Sequence, residues 1–513
     1  MAVDSITTSR SYLTQQLTSL NKALTEKTTQ LATGKVAQTY GGVGDNRLID
    51  LELTQKVSRI SSYQETITQV NLHIESLNVT LERLESLRID SKAALDLNDF
   101  ELQTDGQTRT QATAEILLHE AVSLLNTEVA GYYLYGGTDA FSNPVAGVAD
   151  ILNGANGLDG LKTVSDEYIA ANLGADNRGR LTIDPLVTNY AGAVPTDSTL
   201  TISEDGTHDF GFDIASVTNS LTNVAVVGPA GTGTDPDTFD VTFTGQPGLG
   251  ETLSLEFTLP PTHTQTYTLE LTAASDNSVA GTFAIGADLE ETATNLRNEI
   301  IAAIEEQAQT TLKAAAAEWA ADEYFDTFAG NDTLRIDGPP FETATAQVSG
   351  AATTMSWYTG ENTATTNARL DKNALVDDNL QVSYGARANE SGIADVVKAL
   401  ASFVAADFSG GSSIDEQYYT ALTENLRAVL EPNSADQSGI VDITTEVSIA
   451  YRTVQQTDER HIQMRSSYLQ TIGEIEGVDN ELLAAEIIQL QTNIEASYRA
   501  SSIVFNLSLA DFL

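Results

Sequence analysis

Cysteine is absent from this chain of 513 residues. Because disulfides, thiolate metal ligands and cysteine nucleophiles all need that residue, none of these chemistries is available here. Basic residues are scarce as well, with 26 Lys and Arg against 72 Asp and Glu and a formal net charge of -46 at pH 7. A surface this negative repels phosphate backbones, so we expect no nucleic-acid partner.

Long apolar runs are also missing. No window of the sequence approaches the ~18 consecutive apolar residues of a membrane span, so we expect no membrane insertion. The first residues, MAVDSITTSRSYLTQQL, lack the basic stretch, apolar run and small-residue cleavage site of a secretory signal peptide. Hydrophobic residues still make up 41% of the chain, which is enough to form folded cores despite the high charge.

Motifs that would indicate catalysis or metal binding are incomplete. The chain has five histidines, at His73, His119, His208, His263 and His461. His119 opens HEAVS, but Ser123 stands where the helical zinc motif needs its second histidine. GTGTDPD, from Gly231, lacks the lysine of a P-loop, and EDGTHDFGFD at 204–213 misses the Gly and Glu positions of an EF-hand. We therefore expect no enzymatic activity and no cofactor, with adventitious Ca²⁺ at 204–213 as the alternative.

Both ends of the chain carry helical heptad patterns. The N-terminal leucines fall at heptad spacing before a helix stop near Gly34, at Leu13, Leu17, Leu20, Leu24 and Leu31. A stricter 3–4 alternation follows at Ile60, Tyr63, Ile67, Val70, Ile74, Leu77, Leu81 and Leu84. A third helix is predicted over 107–130, with Ile116, Leu117, Ala121, Leu124 and Leu125 on its apolar side.

The C-terminal part repeats this spacing. Val447, Val454, His461 and Tyr468 recur every seven residues, and after an EGVDN interruption the apolar residues are Leu483, Ile487, Leu490 and Ile494. Each end therefore has a narrow apolar seam without a partner in its own segment. The spacing predicts that the N- and C-terminal helices pair with each other in a coiled-coil bundle.

The middle of the chain has a different texture. TFDVTFTG, TLSLEFTL and TYTLELTA alternate polar and apolar residues, which predicts antiparallel strands with turns at PGLG and SDNS, and a helical insertion is predicted over 289–320. The expected fold is α+β multidomain, with a coiled-coil core of paired terminal helices and an inserted β-rich outer region. The predicted domains are 1–34 with 478–513, 35–140 with 391–477, and 141–390, in which 221–355 forms a distal lobe.

Three stretches resemble the bacterial flagellin superfamily. LNKALTEKTTQLATGK at 20–35 resembles the family's leucine helix and its Ser/Thr-Gly-Lys/Arg turn. VAGYYLYGGTDAFSNPV at 129–145 and YRASSIVFNLSLADFL at 498–513 are similar to the junction turn and the ending of the hook-associated protein 3 family. Filament flagellins more often show an Asn-Ser-x-x-Asp-Asp-Ala-Ala-Gly stretch, where this chain has AQTYGGVGDNRLID. The resemblance covers about 1–145 and 390–513.

The resemblance implies a structural subunit of the bacterial flagellum that joins hook and filament, with a filament flagellin as the alternative. It also implies export through the flagellar type III channel without a cleaved signal peptide, an extracellular location, and a cytoplasmic export chaperone on the C-terminal helix. The implied partners are other flagellar axial proteins and copies of the chain itself. The expected intersubunit residues are Leu13, Leu17, Leu20, Leu24, Leu31, Leu483, Ile487, Leu490, Ile494, Val504, Phe505 and Leu509. A third hypothesis, an extracellular enzyme or adhesin, rests only on the size and carboxylates of the middle region.

Overall fold

The structure is a computed structural model that describes residues 2–231, 235–431 and 439–510, with side chains for 11–231, 235–431 and 439–503. It contains both long helices and β-sheets, so the predicted α+β multidomain class is confirmed at that level. The helices are α1 Ala2–Thr33, α2 Arg47–Ala94, α3 Arg109–Leu125, α4 Val148–Asn153, α5 Leu161–Leu173, α6 Leu289–Gln307, α7 Lys313–Phe325, α8 Ser391–Ala405, α9 Ser413–Val429, α10 Ile440–Glu476 and α11 Asn480–Ala510.

The strands are short and lie mostly between α5 and α6. They are β1 Glu128–Val129, β2 Tyr132–Tyr133, β3 Leu181–Ile183, β4 Val187–Ala191, β5 Val194–Glu204, β6 Asp213–Asn219, β7 Val224–Val227, β8 Thr238–Phe243, β9 Thr252–Leu259, β10 Gln265–Ala274, β11 Thr282–Ala284, β12 Leu334–Ile336, β13 Gln347–Ser349, β14 Asn373–Asp377 and β15 Leu380–Ser383. The chain divides into two compact units. The first unit holds the residues up to Asn71, Ala374–Val382 and the residues from Arg452 onward; the second unit holds Leu72–Asn373 and Ser383–Tyr451.

The heptad pattern of α2 predicts its buried side correctly. Seven of the eight patterned residues are at most 6% exposed and Tyr63 is half-buried. On α10, Val447 and Val454 are fully buried and His461 is 1% exposed, so the histidine occupies a core position. The 3–4 spacing on α2 and the seven-residue spacing on α10 therefore identified the buried side of each helix, because residues three, four or seven apart share one helix face.

The third predicted helix is shorter than 107–130, and its predicted apolar side is partly wrong. A capping box between Thr108 and Gln111 starts α3, which ends at Leu125. Ile116 is 68% exposed, whereas the buried side carries Thr110, Gln111, Ala114, Leu118, Ala121, Val122 and Leu125. Small alanines and polar side chains complete the buried face, which a search for large apolar residues does not detect.

Gly34 marks the end of α1 in the first unit. Its φ of +68° is the left-handed conformation that glycine adopts at low cost, as the sequence predicts for this helix end. The next residue, Lys35, bridges Gly477 in antiparallel fashion, and the Val36 N–H donates to the Glu476 carbonyl at 2.7 Å. The segments that follow α1 and α10 therefore run side by side.

Two antiparallel-based sheets and α6 form the main core of the second unit. One sheet has the order β11-β10-β9-β6, and the other has β3-β5-β8-β7 with β4 beside β5. Along β9 every second residue is buried, and Leu255 lies opposite Leu269 of β10. Apolar residues of both sheets pack with Leu296, Ile300 and Ile304 of α6, which lies within the predicted helical insertion.

The strand prediction is correct, but two of the predicted turns do not close hairpins. PGLG connects β8 to β9, which belong to different sheets, and SDNS connects β10 to β11, which pair in parallel. Alternation along a strand fixes which face is buried, but it does not specify the neighbouring strand. The described part of 141–390 also contains four α-helices, so β-rich describes only part of it.

The Tyr-Gly-Gly-Thr turn at 135–138 needs its glycines. Gly137 has a φ of +64°, and a Cβ there would lie 2.8 Å from the Asp371 carboxylate and 2.9 Å from the Glu361 Cβ. The Thr138 hydroxyl donates to Glu361 at 2.9 Å, and the Thr363 N–H and hydroxyl donate to the same carboxylate. The hydrogen bonds from Thr363 and Thr138 lower the pKa of Glu361 to about 2, so the turn is held by a charged acceptor at neutral pH.

Gly137→Ala is expected to lower the stability of the second unit by about 2–3 kcal/mol, because backbone strain and a side-chain clash act together. Gly157→Ala is the matched control. Its φ is +82°, but nothing lies within 4 Å of a Cβ there, so only the backbone cost of about 1 kcal/mol applies. Thermal unfolding followed by near-UV circular dichroism separates the two variants. Equal shifts in both would show that the space around the 135–138 turn is not tight.

Glu318 on α7 gives the second unit a pH-dependent stability. Burial, together with the nearby Asp322 charge, raises the pKa of Glu318 to about 7. The folded state therefore favours the protonated carboxyl. The free-energy cost of ionising Glu318 in the folded state is absent below the unfolded pKa of about 4.5 and complete above about 7. Glu318→Gln is expected to raise the Tm at pH 8 and to leave it unchanged at pH 4. Glu424→Gln, an exposed position on α9, is the control and should change neither value.

Candidate assembly surface

The structure places the predicted intersubunit residues on α1 and α11. Leu13, Leu17, Leu20 and Leu24 are half-buried, and Leu31 is 40% exposed. On α11, Leu483 and Ile494 are buried, and Ile487 and Leu490 are half-buried. Val504, Phe505 and Leu509 lie outside the residues whose side chains the structure describes. The proposed role of these residues between subunits stays a prediction.

The two terminal helices touch within one chain. Lys27 of α1 forms an ion pair with Glu486 of α11 at 2.7 Å, and Lys35 pairs with Glu476 at 2.5 Å. Glu486 lies within one turn of Leu483, Ile487 and Leu490 on the helix surface, so these apolar residues follow the side of α11 that meets α1. α1 and α11 are therefore in contact within one chain.

Three exposed apolar residues lie on the opposite side of α11. Leu482, Ile488 and Ile503 are 61%, 64% and 59% exposed, and we call these three residues the outer stripe. With about 100° of rotation per residue, they lie on the side of the helix away from Leu483 and Ile494. A helix that is apolar on opposite sides is expected to be covered on both in its working state.

Other large apolar side chains of the first unit are also exposed. They lie on α1, in the loop after it and in the first turns of α2: Tyr12, Leu31, Val36, Tyr40, Leu48, Ile49 and Leu51. Leu48 is the most exposed of them, at 73%. Single exposed apolar residues are ordinary, but a concentration of them in one part of a chain marks an interaction surface. The heptad pattern revealed only Leu31 of this set, because the other six residues follow no single helical period.

Charged pairs hold the tip of the β14–β15 hairpin within the first unit. Arg59 of α2 donates to Asp378 at 2.9 Å, the Tyr63 hydroxyl donates to the same carboxylate at 3.0 Å, and Arg460 of α10 donates to Asp377 at 2.5 Å. The Arg59 hydrogen bond holds the pKa of Asp378 below its ordinary value. His461 stacks on Tyr63 with ring centroids 5.8 Å apart. The hairpin tip is thus fixed to both long helices by hydrogen bonds to its two carboxylates, and the stacked rings join the two helices to each other.

Asp50 is a buried carboxyl at the start of α2. Its side chain is fully buried, and neither oxygen has a hydrogen-bond partner among the described residues. Burial raises the pKa of Asp50, and the nearby Glu476 charge raises it further while Lys35 lowers it. The first turn of a helix favours a negative charge, which offsets part of this cost. Neither the burial of Asp50 nor its lack of a partner follows from the sequence pattern.

The two stretches that were compared with metal-binding motifs, at His119 and at 204–213, lie in the second unit. There, Asp205 accepts a hydrogen bond from the Arg180 Nε at 2.6 Å and lies 2.9 Å from the His208 Nε2, and Glu204 accepts from the backbone N–H groups of Ile214 and Asp237. His119 is exposed on α3. Within the described ranges there is no group of three or more His, Cys, Asp or Glu side chains that could hold a metal ion. No helix in those ranges is both long and apolar enough to cross a bilayer.

Comparisons with known proteins identify no relative of this chain. The sequence matches no protein-family model, and a search of curated proteins finds no similar sequence.

Proposed function

We propose that this protein is a structural subunit of the bacterial flagellum that joins hook and filament through its terminal helices. The observation that carries the proposal is the outer stripe. α11 presents apolar residues to α1 on one side and to solvent on the other, at Leu482, Ile488 and Ile503. Covering each of these side chains would contribute about 1.5–3 kcal/mol. The resemblance of 20–35, 129–145 and 498–513 to flagellin-like proteins supports the flagellar assignment.

The finer architecture belongs to the same proposal. We take α1 and α11 to form a two-helix coiled coil, since both carry heptad seams and since Lys27 and Glu486 form an ion pair between them. The antiparallel bridge at Lys35 and Gly477 supports this arrangement, because it keeps the ends of the two helices adjacent. In an assembled structure, the outer stripes of neighbouring copies would then face one another or face other axial proteins.

Export and location follow from the same resemblance. The chain would leave the cell through the flagellar type III channel without a cleaved signal peptide and would act outside the cell. A cytoplasmic chaperone would cover α11 before export, because an uncovered outer stripe promotes premature association. Other axial proteins and copies of the same chain are the proposed partners after export.

A filament flagellin is the second candidate function. The same terminal helices support it, and the large acidic middle region would then cover the filament exterior. The absence of the Asn-Ser-x-x-Asp-Asp-Ala-Ala-Gly stretch favours the junction role. Abundance distinguishes the two, because a filament subunit dominates sheared flagellar preparations and a junction protein is a trace component.

Negative-stain microscopy of the purified chain after salting out tests the proposal, with and without sheared filament seeds. The junction role predicts monomers or short capped ends, whereas long filaments would support the filament alternative. A chain truncated after residue 493 is the control. We expect it to lose incorporation while the second unit keeps its Tm, and normal incorporation of this truncated chain would contradict assembly through α11.

A further inference from the structure

Asp50 is buried at a place where its neighbours in the sequence are exposed. Among residues 11–59, all of which the structure describes with side chains, Asp50 is the only buried residue. Leu48, Ile49 and Leu51, in the same first turns of α2, are 73%, 50% and 40% exposed. A buried carboxyl beside exposed leucine and isoleucine reverses the usual distribution, and such a conflict between chemistry and burial is expected at functional sites.

Two charged groups from other segments face Asp50. Lys35 lies in the loop after α1, and Glu476 is the last residue of α10. The Lys35 ammonium is 2.5 Å from the Glu476 carboxylate, and the two side chains are 53% and 21% exposed. On α2 itself, Arg47 and Glu52 are exposed, and Glu52 has its cationic partner in the next turn of the helix. We call Lys35, Asp50 and Glu476 the junction triad.

The junction triad has one ammonium group for two carboxyl groups. Lys35 pairs with Glu476, and both oxygens of Asp50 have no hydrogen-bond partner among the described residues. A carboxylate that is buried without a partner costs free energy, so the neutral carboxyl is favoured at the position of Asp50. An ionised Asp50 lowers this cost by taking Lys35 from Glu476 or by moving into water.

The ion pair between Lys35 and Glu476 lies beside two backbone hydrogen bonds. The Val36 N–H donates to the Glu476 carbonyl at 2.7 Å, and the Val478 N–H donates to the Gly34 carbonyl at 3.2 Å. Both bonds join the loop after α1 to the segment between α10 and α11. Because this contact is so short, the loss of its ion pair is expected to loosen the loop.

We infer that the junction triad is a proton-controlled switch. With Asp50 protonated, Lys35 stays on Glu476 and the loop after α1 is held against the end of α10, as in the structure. With Asp50 ionised, Lys35 moves toward Asp50 and the loop is released. The inference is independent of the proposed flagellar role, because it concerns contacts within one chain.

The direction of the pH effect follows from the burial of Asp50. Burial raises the pKa of Asp50 above its ordinary value of 3.8, the Glu476 charge raises it further, and the Lys35 charge lowers it. The held loop therefore favours the protonated carboxyl. Its stabilisation by that proton is complete below pH 3.8 and is lost as the pH rises through the raised pKa.

A single introduced cysteine can report on the loop, since the chain has none of its own. Gln38→Cys places a thiol at an exposed position three residues after Lys35, where a pH-insensitive maleimide dye is attached. The dye anisotropy of the full-length chain is measured from about pH 4.5 to 8.5, above the isoelectric point of about 4.1. We expect the anisotropy to fall as the pH rises, because the released loop moves more freely. Asp50→Asn should keep the high anisotropy of low pH throughout, and Asp45→Asn, an exposed carboxyl of the same loop, should behave as the parent chain.

The lysine of the junction triad gives the opposite expectation. Lys35→Met removes the cation that holds the loop to Glu476, so the low anisotropy of the released loop is expected at every pH. Lys56→Met removes an exposed, ion-paired lysine of α2 and should behave as the parent chain. Circular dichroism shows whether each variant is folded, and if Asp50→Asn is not, the two lysine variants decide the question. The inference is overturned if the anisotropy does not depend on pH, if folded Asp50→Asn keeps the pH dependence, if Asp45→Asn loses it, or if Lys35→Met and Lys56→Met give the same curve.

Discussion

Ile488→Glu is expected to reduce incorporation into filament seeds by more than about tenfold, because an unpaired carboxylate buried at an interface costs several kcal/mol. The Tm of the isolated chain should stay the same, since Ile488 is 64% exposed there. Co-sedimentation of the variant with sheared seeds gives the incorporated fraction, and thermal unfolding of the same sample shows whether the fold is intact.

The control for Ile488→Glu is the same substitution in the second unit. Ile116 on α3 is 68% exposed, so Ile116→Glu matches both the chemistry and the exposure of the test position. Assembly through the terminal helices predicts that Ile116→Glu incorporates as the parent chain does. Equal losses from the two variants would mean that added charge alone prevents incorporation, and no loss from either would remove the outer stripe from the assembly surface.

Arg387→Met is expected to destabilise the second unit by about 3–5 kcal/mol, the usual cost of removing one partner of a buried ion pair. The side chain of Arg387 is 1% exposed and that of Asp371 is 5% exposed. Arg387 also donates to the Ala364 carbonyl at 2.9 Å, so the substitution removes the donor from three acceptor oxygens. The two hydrogen bonds that Arg387 donates to Asp371 and the burial of this pair make the site sensitive, and differential scanning calorimetry measures the loss of stability.

Arg109→Met provides the comparison for Arg387→Met. Arg109 forms ion pairs with Asp99 and Glu101, but its side chain is 60% exposed. Exposed pairs contribute little because water screens both charges, so no measurable change in Tm is expected. Similar Tm values for the Arg387 variant and the parent chain would show that Asp371 is solvated or protonated at little cost.

The sequence predicts well those features that depend on one periodic pattern. The buried side of α2, the end of α1 at Gly34 and the core position of His461 all follow from heptad spacing and glycine chemistry. The strands β8, β9 and β10 follow from alternation. In each case a single local rule and the burial in the folded chain agree.

Features that depend on a partner far away in sequence were not predictable. Ile116 is exposed because α3 buries its other side, where several of the residues are small or polar. The separation of β8 from β9 into two sheets depends on which strands meet, which alternation does not encode. The buried Asp50 and the buried Arg387–Asp371 pair arise from residues brought together by the fold, and their sequence context is unremarkable for polar residues.

The candidate assembly surface was predictable from the sequence only in part. The heptad residues of α11 were identified from spacing, and in the structure α11 contacts α1. The outer stripe was not predicted, because the sequence analysis considered only the heptad pattern on the other side of α11. Its signal is present in the sequence, since Leu482 and Ile488 flank the heptad residues and fall on the opposite side of the same helix.

The location of the chain on intact flagella tests the central claim most directly. Gold-labelled antibodies against the acidic middle region can be imaged by electron microscopy on flagella that retain their hooks. The proposal predicts label only in a short zone where hook meets filament. Label along the whole filament, or no label on flagella at all, would contradict the junction role.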